Sequence, residues 1–536
     1  MRMHFNEGSA LSAIVFWSAQ WFRALTTLTR PFSEWILDAI YSLFVGPTKV
    51  LPPIENKILL LSAVQLTERI RKRQITCEEV MKAYISRVKE VEPLINSCVD
   101  QRFEDALKEA QEADRLIASG SKTEEELARE LPLLGVPFSC KEAIGVKGLA
   151  QTSGLVWAAD RKCEVDSDTA ALYRKAGAIP LVATNVPEMC MWWESANIVF
   201  GWTKNPYDNR RTVGGSSGGE GAILTAAGAL VGIGNDIAGS IRIPASFCGI
   251  YGHKPSKDLI SNDGHWPEDG EEYDQFVSTG PMCRYVEDLP LLVKILSGDR
   301  LNKIRMEEKV DFRKVKIFYM EEFPGLLLSA TSDIKAAVKK AATHFETEYG
   351  VQAVRLNIPE LALAFYMWEC KLLEADGPPF KSALCRPGED REVSLFWEFC
   401  KSLVRKCEHT WPALFFATVD RREKDKFYYK CLEEYKILER KLNEALQGDA
   451  ILLVPTSPDP PPHYLMTIPK YWNVAYTCIF SILGYASTQI PTGLSNGLPI
   501  GIQAIGRQYQ DHLTLAAAVE LDKVFRGWIC PCPINV

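Results

Sequence analysis

The sequence predicts an α/β fold, a mixed β-sheet core flanked by α-helices. Three observations carry this. From residue 131, short apolar runs alternate with helical patterns: LLGVPFS (133–139), AIPLVAT (178–184) after a helix at Thr169–Ala176, and ALVGIG (229–234) after another. Strands separated by helices imply right-handed crossovers and a parallel or mixed sheet. Beyond a more helical, charged stretch at about 300–450, strand signals return in ILLVP (451–455), TQIPTGL (488–494) and IGIQAIG (500–506), so that stretch reads as a helical insertion into one continuous sheet. The 536 residues are 47% hydrophobic and 24% charged, enough apolar material for a large buried core and too much for a disordered chain.

The N-terminal 50 residues differ in character. Ser9 to Phe22 is uncharged, and Trp35 to Val45 places Ile36, Leu37, Ile40, Tyr41 and Phe44 along one helical stripe. Both runs are shorter than the roughly 20 apolar residues of a full span. Trp17, Trp21, Phe22, Arg23 and Trp35 are residue types that favour the headgroup level. Residues 1–50 therefore read as a hydrophobic membrane-anchor segment, and 51–536, after the hinge Pro52-Pro53, as the catalytic domain. Ser62 with Gln65 and Thr76 with Glu79 have capping-box spacing; the second opens a helix through EEVMKAYISRVKEV that Pro93 is expected to close, and Asp105 to Ala118 reads as the next helix.

Charge and composition exclude several classes. A net charge of −7 with interspersed basic residues gives no electrostatic reason to expect nucleic acid. Fifteen scattered cysteines, with only Cys530 and Cys532 close together, suggest reduced thiols in the cytosol rather than a disulfide framework or a zinc ribbon. Seven histidines never fall in HxH or HExxH spacing, so no metal site is expected.

The densest chemistry lies in Gly214-Gly215-Ser216-Ser217-Gly218-Gly219-Glu220-Gly221. Glycines at this density allow positive φ and close backbone approach, and the serines offer caps and hydroxyls. The run lacks the Lys-Ser/Thr ending of a phosphate-binding loop. Downstream, a strand from Val231 to Ile237 runs into Ala238-Gly239-Ser240, where the successive amides of Ile237, Ala238, Gly239 and Ser240 could converge on a developing oxyanion. That is the requirement of acyl transfer. The stretch misses both the dinucleotide G-x-G-x-x-G and the G-x-S-x-G elbow, and no suitably spaced His/Asp pair is evident, so the base must be sought elsewhere. Lys141, directly after the apolar strand Leu133–Cys140, is the candidate. To act as a base it must be neutral, which burial favours by disfavouring the ammonium.

Lys141 in GVPFSCKEAI, Ser216 in GGSSGGEGA and Ser240 in GNDIAGSIRIP are separated by 75 (216 − 141) and 24 (240 − 216) residues. Three ordered motifs at this spacing resemble the amidase-signature serine hydrolases. The resemblance extends through TNVPEMCMW (184–192), NPYD (205–208), FCGIYGHKPS (247–256) and GLPIGIQAIG (497–506), and covers about residues 55–530. Within the family, TGPMCRYVEDL (279–289), DHLTLA near the end and the apolar N-terminus are most similar to the fatty-acid amide hydrolases.

The resemblance implies the amidase-signature fold with an N-terminal membrane-associated segment, and a Ser-Ser-Lys triad: Ser240 as nucleophile, Lys141 as base and later acid, Ser216 as relay after a cis Gly215–Ser216 peptide. The oxyanion donors would be the amides of Ile237 to Ser240, with Gly215, Ser217, Asp236 and Arg242 supporting the loop. One departure is visible, since the family's usual Gly-Gly-Ser reads Ala238-Gly239-Ser240 here, and the added methyl is expected to restrict the loop or crowd the acyl carbonyl. The implied reaction is hydrolysis of a lipid amide, a primary fatty-acid amide or N-acyl ethanolamine, to fatty acid and amine, with no cofactor and no metal. The partners implied are the lipid amide and a membrane surface, not nucleic acid. The catalytic domain would be cytosolic, with the endoplasmic reticulum and lipid droplets as candidate membranes. Two alternatives stand beside this reading: one subunit of an amidotransferase that works on charged transfer RNA, which shares the triad, and a catalytically silent amidase fold that binds lipid.

Overall fold

The computed structural model describes residues 28–536 except 268–272, 326–328, 376, 378, 387, 390–391, 405 and 421–422. In chain order its strands are β1 (Cys98–Gln101), β2 (Pro137–Lys141), β3 (Ile179–Thr184), β4 (Ala196–Asn197), β5 (Gly201–Trp202), β6 (Val231–Asp236), β7 (Tyr251–Lys254), β8 (Ser278–Cys283), β9 (Lys316–Tyr319), β10 (Ala353–Arg355), β11 (Ala450–Pro455), β12 (Ala486–Ser495) and β13 (Leu498–Gly506). Eleven form one mixed sheet in the order β1-β3-β2-β6-β8-β7-β12-β13-β11-β9-β10, and β4 pairs with β5 apart from it. The sheet is parallel in two blocks, β3-β2-β6 and β11-β9-β10, and antiparallel elsewhere. Strands β2, β3 and β11 are buried at every position, which is why they read as continuous apolar runs rather than alternating ones.

The expected strands therefore stand, within a few residues at their ends. Residues 300–450 are not purely helical, however: they supply β9 and β10, which extend one edge of the sheet. Three-residue and four-residue strands are too short to announce themselves by periodicity. Pro93 does not end its helix, which runs Cys77–Ile95 from a complete Thr76/Glu79 capping box. In the last turn proline forfeits one intrahelical bond, and the turn still closes on Asn96, whose N–H reaches Glu92 O in a left-handed cap. Ser62 caps the helix Ala63–Arg71 through its hydroxyl on Gln65 N–H.

Two motifs of the sequence meet in a structural lock. His253 on β7 lies 3.1 Å from Asp511, and Asp511 accepts from the Ser256 hydroxyl (2.5 Å) and amide (2.8 Å). This pins the start of the helix Asp511–Phe525 to the sheet. It is not a hydrolase triad: the serine is bound to the aspartate, not the histidine, and all three residues are buried.

The run Ser9–Phe22 and Arg23 lie outside the described residues. Residues 28–44 form a helix with an inverted arrangement. Its polar face docks inward: Arg30 pairs with Asp459 (3.2 Å), Glu34 and Asp38 each reach Arg211 (2.8 Å), and Asp38 reaches His463 (2.9 Å). Phe32, Trp35 and Phe44 point away from the protein, 65%, 66% and 85% exposed. The stripe read from the sequence is split by this docking, since Tyr41 stacks on His463 while Ile36, Ile40 and Phe44 are exposed. Among the described residues, no helix is long and apolar enough to cross a membrane.

Candidate active site

The site forms where parallel strands end, as it does in open α/β sheets generally. β2 and β6 are neighbours in parallel register, so Lys141 at the end of β2 and Asn235-Asp236 at the end of β6 come out side by side. The glycine-rich loop then crosses in front of them. Its glycines are dictated by close approach: a Cβ on Gly215 would lie 2.7 Å from Trp192 O, one on Gly218 2.3 Å from Ser195 Oγ, and one on Gly219 2.4 Å from Asn185 N. The backbone turns through a cis Gly215–Ser216 peptide into the helix Gly218–Thr225.

Lys141 is fully buried, and its Nζ lies 2.6 Å from Ser216 Oγ. The Ser217 amide donates to Ser240 O at 3.0 Å, which docks the Ser240 turn on the same loop. Among the described residues no Ser216–Ser240 hydroxyl hydrogen bond is formed; the loop that carries Ser216 is joined to the Ser240 turn through the Ser217 backbone bond. Contacts of this kind commonly tighten only when substrate is bound. Ser217 also orients its hydroxyl towards Asn235 O (3.5 Å).

A second set of residues, invisible in the sequence, holds the lysine from the other side. Lys141 Nζ contacts Asn235 Oδ1, and the Asn235 Nδ2 faces His265 Nδ1 at 3.3 Å. Burial pushes His265 down to about 3, so it is neutral. With Nδ1 accepting from Asn235, its proton sits on Nε2 and is donated to Thr279 Oγ1 (2.9 Å), whose hydroxyl passes on to Asn262 Oδ1 (2.8 Å). The β6–β8 register, which sets Asn235 opposite Thr279, builds this chain. Beneath the lysine, Glu220 accepts from Ser139 (2.6 Å) and Thr184 (2.7 Å), and burial pushes it up to about 8. At neutral pH it is mostly uncharged and does not hold Lys141 in its ammonium form.

Asp236 organises the turn. Burial opposes its charge, but Arg242, bound through Nη2 (2.9 Å) and Nε (3.0 Å), holds its carboxyl below the usual range. It accepts the amides of Gly239 (2.7 Å) and Ile241 (3.1 Å). Gly239 thus departs from the expected oxyanion set: its N–H is committed to Asp236, leaving Ile237, Ala238 and Ser240. Gly239 also has φ +128°, and a Cβ there would lie 2.2 Å from Thr477 Oγ1. The demand for glycine falls here and not on residue 238, so the alanine fits the turn without strain. Its carbonyl accepts from Thr477 Oγ1 at 2.5 Å, and the residue lines a pocket. Gly239→Ala is accordingly expected to shift the turn that carries the Ala238 and Ser240 amides and to cost at least about 10²-fold in turnover, the scale on which a misplaced oxyanion donor is felt, whereas Ala238→Gly should change it little; kcat/KM for a short soluble amide checks both.

A cavity of about 820 Å³ opens onto Ser216, Asn235 and Ile237. A narrow apolar pocket adjoins it at Ser240, walled by Met191, Trp192, Trp368, Phe415, Phe416 and Tyr471. The run Trp411–Phe416 belongs to a helix, Trp411–Val419, that buries Leu414 and Ala417, turns Phe415 and Phe416 to this pocket and leaves Trp411 half exposed.

The Amidase family model matches residues 79–515. The chain is 40% identical to fatty-acid amide hydrolase 2-B of Danio rerio over 490 residues, 90% of this chain and 93% of that protein, and 39% identical to human fatty-acid amide hydrolase 2 over 89% and 92%. It is 28% identical to a glutamyl-tRNA(Gln) amidotransferase subunit of Caldanaerobacter subterraneus over 87% and 96%. Among solved structures, a fatty acid amide hydrolase superimposes with a TM-score of 0.70 at 23% identity, covering 91% of this chain and 88% of that one.

Proposed function

The chain belongs to the amidase family and is an amide-hydrolysing enzyme, and from that premise we propose that it cleaves fatty-acid amides through Ser240, Ser216 and Lys141. The observation that carries the catalytic reading is the 2.6 Å contact between a wholly buried lysine amine and Ser216, on the loop bonded to the Ser240 turn. Ser240 Oγ attacks the amide carbonyl as its proton passes to Ser216 and the Ser216 proton to neutral Lys141. The amides of Ile237, Ala238 and Ser240 meet the oxyanion. On collapse, Ser216 protonates the leaving nitrogen and is refilled from Lys141. Water then attacks the acyl-Ser240 ester as its proton passes through Ser216 to Lys141, and on collapse that proton returns through Ser216 to Ser240 Oγ, releasing the fatty acid and restoring Ser240.

The substrate class rests on the relatives and on the wall of aromatic side chains beside Ser240. The higher identity to the fatty-acid amide hydrolases than to the amidotransferase favours a lipid amide over an aminoacyl transfer RNA. Replacing Phe415 and Phe416 by serine should weaken kcat/KM for long acyl amides more than for short ones. Each buried methylene is worth about 0.8 kcal/mol, so the dependence on chain length should flatten; equal losses across a series of chain lengths would overturn the assignment of this helix to the acyl site.

The N-terminal segment acts, in this reading, as a membrane attachment that brings the site to lipid-dissolved substrate. The inverted helix at 28–44 supports it, because its apolar side chains are the exposed ones. Removing residues 1–50 would uncover the buried Arg211 that this helix neutralises. The sharper test is Phe32→Glu/Trp35→Glu/Phe44→Glu in the full chain. Vesicle cosedimentation should fall while turnover of a short soluble amide is retained; unchanged cosedimentation would remove these residues from the attachment.

A further inference from the structure

Cys530 and Cys532 lie in a C-terminal stretch that pairs with the hinge before the first helix of the catalytic unit: Ile54 N–H donates to Pro533 O (2.9 Å) and Asn535 N–H to Ile54 O (2.8 Å). Their sulfurs are 3.5 Å apart, and both residues are partly exposed. Arg87, itself buried, joins this stretch to the rest of the molecule. Its Nε donates to Ala226 O (2.9 Å), its Nη1 to Pro52 O (2.9 Å), and its Nη2 to Cys532 Sγ (3.2 Å). Glu90 offsets part of its charge from the solvent side.

These surroundings separate the two sulfurs chemically. Burial pushes the thiols of Cys77, Cys140, Cys248, Cys283 and Cys478 up. Cys532 moves the other way, because the adjacent Cys530 sulfur shares a hydrogen bond with it and the Arg87 guanidinium donates to it rather than to Cys530, which places the anionic charge on Cys532. Cys530, left with the proton, is correspondingly pushed up. A partly exposed thiolate beside a cation is the arrangement of a reactive cysteine. Two peptide links hold the Cα atoms within about 7 Å, which matches the reach of a disulfide.

We propose that Cys530 and Cys532 form a redox-active dithiol, in which Cys532 is the attacking thiolate and Cys530 the resolving thiol. With a hydroperoxide as oxidant, the Cys532 thiolate attacks the distal oxygen; the O–O bond breaks, an alkoxide or hydroxide leaves, and the sulfur is oxidised to a sulfenic acid. Cys530, giving up its proton, then attacks that sulfur and displaces hydroxide, which forms the S–S bond and water. The disulfide takes the anionic sulfur from Arg87 and weakens the tie between the C-terminal stretch and Pro52-Pro53.

The test is limiting alkylation of the full-length protein with iodoacetamide at neutral pH, with each thiol followed by peptide mass spectrometry, and then treatment with stoichiometric hydrogen peroxide. Cys532 should alkylate at least about tenfold faster than Cys190 or Cys407, a difference that one unit of thiol acidity supplies. Peroxide should give a Cys530–Cys532 disulfide within one chain. In Cys530→Ser, whose fold circular dichroism verifies, dimedone should capture a sulfenic acid at Cys532. Alkylation no faster than at Cys190 and Cys407, or peroxide that leaves both thiols reduced, would overturn the proposal.

Discussion

Lys141→Ala is expected to lower amide turnover by about 10²–10⁴-fold, the usual contribution of a general acid–base group, and ester turnover by less. An amine is a far poorer leaving group than an alcohol, so collapse of the amide intermediate requires a proton on nitrogen, whereas the ester intermediate depends on it little. In the structure the route for that proton is short and sealed: Nζ is wholly buried, 2.6 Å from Ser216 Oγ, with Asn235 on its other side. Removing the amine removes both the acceptor for the Ser240 proton and the donor for the leaving nitrogen. Preference for amides over esters should shrink, and the pH–rate profile should shift towards an alkaline optimum as hydroxide replaces the missing base. Measuring kcat/KM for a matched amide and ester across pH checks this, and undiminished amide preference in Lys141→Ala would contradict the assigned role.

The second large effect is expected at Ser240. Ser240→Ala removes the only atom to which the acyl group is transferred in this scheme, so amide and ester turnover should be lost together, without the selectivity change of the lysine variant. Ser216→Ala should fall between the two: the relay oxygen is lost, but the nucleophile remains and water fitting the vacated space can carry the proton less efficiently. Single-turnover kinetics separate the three variants. An accumulating acyl-enzyme in Ser240→Ala would place the nucleophile elsewhere.

The glycine-rich loop, the Ser240 turn and the parallel block β3-β2-β6 were legible because each is local. Lys141, Ser216 and Ser240 stand in motifs whose order and spacing survive without knowing the fold, and β2, β3, β6 and β11 announce themselves as apolar runs because both faces are covered. What was missed depends on contacts between distant segments. Asn235 sits inside a quoted motif, yet its role follows from where β2 ends relative to β6. His265 carries no local signal at all, being a loop histidine that reaches the site because β8 places Thr279 opposite Asn235. Glu220 looks like an exposed first-turn glutamate and is instead buried under β2 and β3. The helix at 28–44 misled for a related reason: composition gave its apolar stripe, but only Arg211 and His463, far along the chain, decide that its acidic face turns inward. Gly239 shows the same limit within one turn, since its amide was expected to face the oxyanion and the Asp236 carboxylate takes it.

Activation of a Ser240 nucleophile through Ser216 by Lys141 is checked by reacting the full-length protein with an alkyl fluorophosphonate and locating the adduct by peptide mass spectrometry. One phosphonylated residue, Ser240, is expected, with labelling lost in Ser240→Ala and slowed in Lys141→Ala. An adduct on Ser216 or Ser217, or unslowed labelling of Ser240 in the lysine variant, would contradict it.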